Sequence, residues 1–133
     1  MKHLVSFYLT VVVCLGLYLH QEPDLKGSIE RGSEIYADFC VTCHMENGEG
    51  VPYTFPPLAN SDYLLQKRAE SIKGVKYGRQ GELIVNGITY NDTMAPLGLE
   101  DEEVVDVMNY ILNSWGNSSD KIVTLEEVKS ITK

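Results

Sequence analysis

The residues Cys40-Val41-Thr42-Cys43-His44 hold the densest set of reactive side chains in this 133-residue chain. Two thiols two residues apart, followed at once by an imidazole, have the spacing of a covalent haem attachment. Each thiol adds to one of two vinyl groups, so each needs its own reach to the ring edge. The adjacent His44 then lies under the iron as an axial ligand. Two other chemistries use part of this set. A dithiol redox site also has Cys-x-x-Cys, but within a strand–helix pattern; the residues before Cys40 follow a helical pattern. A structural zinc site takes four ligands. Outside residues 1–20 the chain offers only Cys40, Cys43 and His44 for that purpose.

An iron that transfers electrons and does not bind gases needs a sixth ligand. No histidine is left for it beyond residue 20, which leaves methionine, and a Met/His pair raises the reduction potential. Met1 is the start of the chain. Met45 adjoins His44 and cannot reach the other side of a ring. Met108 sits on the apolar face of a predicted helix, where Met is ordinary core filling. Met94 lies in a loop fifty residues after His44, in Thr93-Met94-Ala95-Pro96, and Pro96 stiffens that loop. Met94 is the expected sixth ligand.

The elements that must position these groups are mostly helical. Ile29, Gly32, Tyr36 and Phe39 recur at helical spacing, predicting a helix from about Ser28, as N-cap, to Cys40. A glycine inside that helix costs up to about 1 kcal/mol relative to alanine, which suggests a close neighbour at Gly32. Gly and Pro residues mark 45–60 as loop. Ser61 caps one helix or two short ones from Asp62 to about Lys76. Leu83–Val85, Asn86-Gly87 and Ile88–Tyr90 read as a small hairpin, and 91–99 as loop. A strong helix is expected over Asp101–Trp115. It is acidic in its first turn, has Val104, Met108, Ile111 and Trp115 on one face, and stops at Gly116. The tail from Val123 holds a further turn or two. So loop-rich a chain looks built around something that fills its middle.

Residues 1–20 read as a separate segment: Met-Lys-His, then an apolar run from Leu4 to Leu19. That pattern is an export signal, and its length falls between a signal core and a full span of about 20 residues. A cleaved signal and a retained anchor both fit. Cys14 lacks the small preceding residue and polar followers of a lipidated cysteine. Residues 21–27 read as a polar linker, and 28–133 as one folded domain. The net charge is −8, with 11 basic and 19 acidic residues. Beyond Lys2 the leader has no Lys, Arg, Asp or Glu, so the remainder stands at −9. Nucleic acid is excluded as a partner by that balance; steering toward a basic patch on a partner protein is permitted. Lys67, Arg68, Lys73, Lys76 and Arg79 cluster, opposed by acids from Glu100 to Asp106. This reads as a docking dipole or as a solvated helix face.

Together these pieces resemble class I cytochrome c from about Gly27 to Ser130. The similarity is carried by Arg31-Gly32 through Phe39, by Cys40–His44, by Phe55-Pro56-Pro57-Leu58, by Val85-Asn86-Gly87, by Tyr90 to Gly98 and by the helix ending Asn113–Asn117. The resemblance implies an all-α cytochrome c fold, three to five helices around one covalently bound haem c with a small hairpin. It implies that the first and last helices cross with Gly32 against Tyr110. It further implies that the Pro57 carbonyl accepts a hydrogen bond from His44, that Leu58 packs on the haem, and that Tyr90 and Asn86 lie near its edge, with Trp115 either there or, as its place on the apolar helix face favours, simply in the core. The spacing Met94-Ala95-Pro96 departs from the family, in which Pro often follows the Met directly.

The implied activity is single-electron transfer between redox proteins outside the cytoplasm, periplasmic or otherwise extracytoplasmic, by a carrier that is not itself an enzyme. Residues 4–19 would give membrane attachment if retained. A second reading makes the chain the electron-transfer subunit of a membrane oxidase or a periplasmic dehydrogenase or reductase. A third, a haem-based gas binder, requires an open sixth position, which Met94 argues against.

Overall fold

The computed structural model describes residues 24–133 together with Tyr8 and Val11. Apart from those two positions, the expected leader, Cys14 and the first part of the linker lie outside the described residues. No helix among the described residues is long and apolar enough to cross a membrane.

Within residues 24–133, six helical segments and one hairpin follow in order: α1 (Leu25–Phe39), α2 (Val41–His44), α3 (Asp62–Gln66), α4 (Arg68–Tyr77), β1 (Leu83–Val85), β2 (Ile88–Tyr90), α5 (Asp101–Ile111) and α6 (Leu125–Ser130). Apart from the four-residue turn α2, the helices of residues 24–133 number five, within the three to five expected for the domain.

Helix α1 starts three residues earlier than the Ser28 cap expected for it. Asp24 is the cap: its carboxylate accepts a hydrogen bond from the Gly27 amide at 3.1 Å. Ser28 is buried instead, and forms one ridge with Gly32 and Tyr36 at four-residue spacing. Phe39, expected on that face, is 47% exposed.

The ridge of α1 crosses α5, and Gly32 is where the backbones meet. A Cβ at Gly32 would overlap the Asp106 carbonyl and lie 2.8 Å from Tyr110 Cβ. The Tyr110 half of this contact was expected; the Asp106 backbone is the closer neighbour. The crossing also carries buried polar groups that an apolar-face reading of α5 passes over. Asp106 accepts from Ser28 Oγ at 2.6 Å and from Arg31 Nε and Nη2 at 2.6 and 2.8 Å. Asn109 is fully buried. Its Nδ2 donates to Ser28 Oγ and to the Val123 carbonyl, and its Oδ1 accepts from the Val123 amide at 2.7 Å. One side chain thus ties α1, α5 and the tail. Replacing Asn109 by Leu strands both polar groups of Val123, so a loss of about 3 kcal/mol is expected. The check is a lower denaturation midpoint with an unchanged urea slope.

Helix α5 ends at Ile111, before the Trp115 expected. Side chains beyond it take the carbonyls of its last turns: Asn113 Nδ2 takes Asn109 O, Ser114 Oγ takes Tyr110 O, and Asn117 Nδ2 takes Ile111 O. Trp115 is left-handed, with φ 52°. Its ring packs with those of Tyr36 and Tyr110, with centroids 4.9 and 5.3 Å away.

Ser61 caps α3 as expected, its Oγ accepting from the Leu64 amide. The chain breaks at Lys67, and α4 follows. The hairpin pairs Leu83 with Tyr90 and Val85 with Ile88. Asn86 and Gly87 at its tip both have positive φ, as the twist of a two-residue turn demands. Val85 and Tyr90 point inward.

Helix α6 fastens the tail to α4. Arg68 binds Glu127 through two hydrogen bonds, at 2.7 and 2.9 Å, and reaches the carbonyls of Lys121 and Ile122. Lys76 bonds Asp101 and the Val128 carbonyl. Three members of the basic cluster are therefore occupied within the fold: Arg68, Lys76 and Arg79, which bonds Tyr63 and Glu82. Lys67 and Lys73 have no ion-pair partner among the described residues.

The Arg68 hydrogen bonds hold the Glu127 carboxyl below the usual carboxylate range, against the opposing effect of partial burial. Unfolded, Glu127 titrates near its ordinary value of about 4.3. The folded form binds its proton only at lower pH, so this stabilisation is present above the ordinary value and fades as pH falls through the depressed one. Hydrogen exchange at the 122–131 amides is expected to rise below about pH 4. In an Arg68→Ala chain it is already raised at neutral pH.

Candidate functional site

The turn after α1 sets the chemistry of the Cys40–His44 segment. The Cys40 amide still donates to Tyr36 O, so the cysteine ends α1 without leaving it. The His44 amide donates to Cys40 O at 2.9 Å, which makes α2 a single tight turn bringing both thiols and the imidazole to one end of the helix. Met45 then reverses the chain with φ 64°, and Tyr36 Oη donates to its carbonyl at 2.6 Å. Cys40 and Cys43 are not bonded to each other. Burial, with Cys43 nearby as the smaller cause, pushes the Cys40 thiol up to about 11.

The three side chains open into a cleft with about 1090 Å³ of atom-free space, its open mouth included. Phe55, Pro56, Pro57 and Leu58 form one wall. Leu64, Gly74 and Val75 form another, the hairpin adds Leu83, Val85 and Tyr90, and α5 contributes Val107 and Ile111. The walls are overwhelmingly apolar.

His44 Nδ1 lies 2.9 Å from the carbonyl oxygen of Pro56. A carbonyl can only accept, so Nδ1 carries the hydrogen and Nε2 keeps its lone pair. The acceptor is therefore Pro56, one residue before the expected Pro57. The register follows from the bridge between Val51 and Phe55. Phe55 O is taken by the Val51 amide, and the next carbonyl along an extended chain faces the other way, toward His44. Pro57 still lines the cleft, as does Leu58, whose amide donates to Gly48 O at 2.7 Å. Burial lowers the His44 pKa, partly offset by the bond to Pro56.

Met94 reaches the same cleft from the loop after the hairpin. Its amide and carbonyl pair with those of Arg79, at 2.9 and 2.8 Å. Met108 is fully buried in the core and does not line the cleft. Cys40, Cys43, His44, Met94, Pro57 and Leu58 thus share one cavity.

Tyr90 lines the cleft, whereas Asn86 does not, and Trp115 takes the core place favoured for it. The side-chain carbonyl of Asn86 instead accepts from the Asp62 amide, while Asp62 accepts from the Asn86 amide, so the pair latches the hairpin to α3. Trp115 belongs to the aromatic cluster under the α1–α5 crossing.

Pro56, Gly74 and Arg79 are among the lining residues to which the sequence assigned no part in the cleft. A Cβ built on Gly74 meets no atom within 4 Å, so the helix leaves room there. Arg79 Nε is buried without a hydrogen-bond partner. The available signals were a glycine inside a helical run and an arginine in the glycine-flanked polar stretch Gly78-Arg79-Gln80-Gly81. Both also occur on ordinary surfaces. The residues fit a flat apolar ring: two thiols and an imidazole at one end, a thioether from another element, an open strip along α4, and one unpaired cationic donor for an anionic edge group.

The cytochrome c family model matches residues 29–115. Cytochrome c-552 of Thermus thermophilus is 39% identical over 109 residues, spanning 75% of this chain and 82% of that protein. The cytochrome c subunit of the quinone alcohol dehydrogenase of Gluconobacter oxydans is 28% identical over 114 residues, 79% of this chain but 22% of that one. The gluconate 2-dehydrogenase cytochrome c subunit of Pantoea cypripedii is 27% identical over 117 residues, 78% of this chain and 24% of that one.

Proposed function

The chain belongs to the cytochrome c family, electron carriers with covalently bound haem c, and on that premise we propose that it passes single electrons between redox proteins outside the cytoplasm through one haem held by Cys40, Cys43, His44 and Met94. The observation that carries this reading is the shared cleft: the thiol pair, an imidazole with its Nε2 lone pair free, and a thioether all enter one apolar cavity.

Bound haem supplies an iron with two oxidation states one electron apart. The chain's residues do the rest. Cys40 and Cys43 anchor the ring covalently. The Pro56 carbonyl fixes the His44 tautomer and ring plane, and such outer contacts also raise ligand basicity. The Met94 sulfur completes the pair, a combination that favours a high potential. Leu58, Val75, Val107 and Ile111 exclude water and lower the local dielectric, which further tunes the potential. The tight α1–α5 crossing and the latched hairpin give a rigid cavity, so little rearrangement accompanies a change of charge.

Residues 4–19 support export, either as a cleaved signal or as a retained anchor. The likeness to dehydrogenase cytochrome subunits favours a second reading, an electron-transfer subunit of a larger complex. Co-purification from native membranes separates it from a free carrier. The deciding experiment for the site is absorption spectroscopy of the matured protein, oxidised and reduced, with and without carbon monoxide. A sulfur-to-ferric-iron band and no carbon monoxide binding are expected. Ready carbon monoxide binding without that band would make the protein a gas binder.

A further inference from the structure

Arg79 is joined to the cleft in two ways at once. Its backbone amide and carbonyl pair with the carbonyl and amide of Met94 at 2.8 and 2.9 Å, a two-bond bridge isolated from any strand among the described residues. The preceding Gly78 lets the chains close up: with φ 76°, any Cβ there would sit 2.6 Å from Met94 O and 2.7 Å from Pro96 N. Arg79 is also among the residues that line the cleft. Nη1 donates to Tyr63 Oη at 3.2 Å and Nη2 to the Glu82 carbonyl at 2.9 Å, while Nε is buried and unpaired. Two of the five guanidinium N–H groups are thus used and the Nε–H has no partner, which costs stability unless a ligand supplies one, and a carboxylate is the group that fits a guanidinium best. The haem edge carries carboxylates.

Resting on the Met94 reading above, we propose that Arg79 is a positioning residue that ties a haem carboxylate to the sixth ligand, so its side chain sets how firmly Met94 stays on the iron. The side chain holds the ring edge, and the backbone of the same residue holds Met94, so one anchor fixes both. With a neutral side chain, residue 79 and the bridged Met94 loop lose that anchor.

The test is imidazole titration of the matured ferric protein, followed through the sulfur-to-iron band. The neutral variants Arg79→Gln and Arg79→Met are expected to bind imidazole about tenfold more tightly than wild type, the equivalent of one lost charge-assisted hydrogen bond. Either variant is sufficient if the other fails to assemble. Arg79→Lys, which restores the charge, is expected to recover most of the wild-type resistance. Wild-type imidazole affinity in a neutral variant overturns the proposal while leaving Met94 in place. A wild type with no sulfur band overturns the ligand assignment, and this inference with it.

Discussion

Replacing Gly32 by Ala is expected to destabilise the fold by about 3 kcal/mol, at the upper end of overpacking costs, although in an isolated helix the same change would gain up to about 1 kcal/mol. The sign reverses because the added methyl has nowhere to go. It would overlap the Asp106 carbonyl, a backbone group, and press on Tyr110 Cβ. Neither is the far end of a flexible side chain that can swing aside. The helices must separate, and separation stretches the bonds of Ser28 and Arg31 to Asp106 and of Asn109 to Ser28. In a domain of about 100 residues a loss of this size lowers the thermal midpoint by 10 °C or more. Gly74→Ala provides the contrast. It lies in α4 with nothing within 4 Å, so the haem-free chain accepts the methyl. A midpoint for Gly32→Ala within about 2 °C of wild type would mean that the crossing is looser than described.

The same crossing shows what the residues reveal unaided. A glycine in mid-helix signals a close neighbour, and the neighbour is there. Helical spacing located the core face of α5 at Val104, Met108 and Ile111, and Asn86-Gly87 located the hairpin. The failures have a common cause. Periodicity counts apolar residues, so it missed the buried polar ridge of Ser28, Asp106 and Asn109, which is stable only because all three find one another across some eighty residues of sequence. It also extended α5 to Trp115, since hydrophobicity continues that far while the helix is ended by side-chain hydrogen bonds. The choice of Pro56 over Pro57 depends on a bridge between Val51 and Phe55 that no local pattern specifies. The basic cluster of 67–79 looked like a charged surface because charge in sequence carries no information about pairing. Three of its five members have internal partners, and Arg79 faces the cleft.

Met94→Ala is expected to abolish the sulfur-to-iron band, open the sixth position to carbon monoxide and lower the reduction potential. Axial ligands move haem potentials over about 0.8 V, and losing the thioether removes the ligand that favours the reduced state. Little else should change. Met94 is joined to the fold through its backbone pair with Arg79, which alanine retains. Its side chain is only partly buried at the cleft, so truncation costs less than the 2–5 kcal/mol typical of a core methionine. Thermal stability and α-helical content are therefore expected to survive while ligation is lost, a separation that a merely packed loop methionine would not produce. Persistence of the band in the variant would require another sulfur. Met108 is sealed in the core away from the cleft, and Met45 follows His44 directly with its carbonyl bound to Tyr36. Neither reaches the iron without unpacking α5 or the turn that positions His44, so such a result would mean that the cleft rearranges when it takes up its haem.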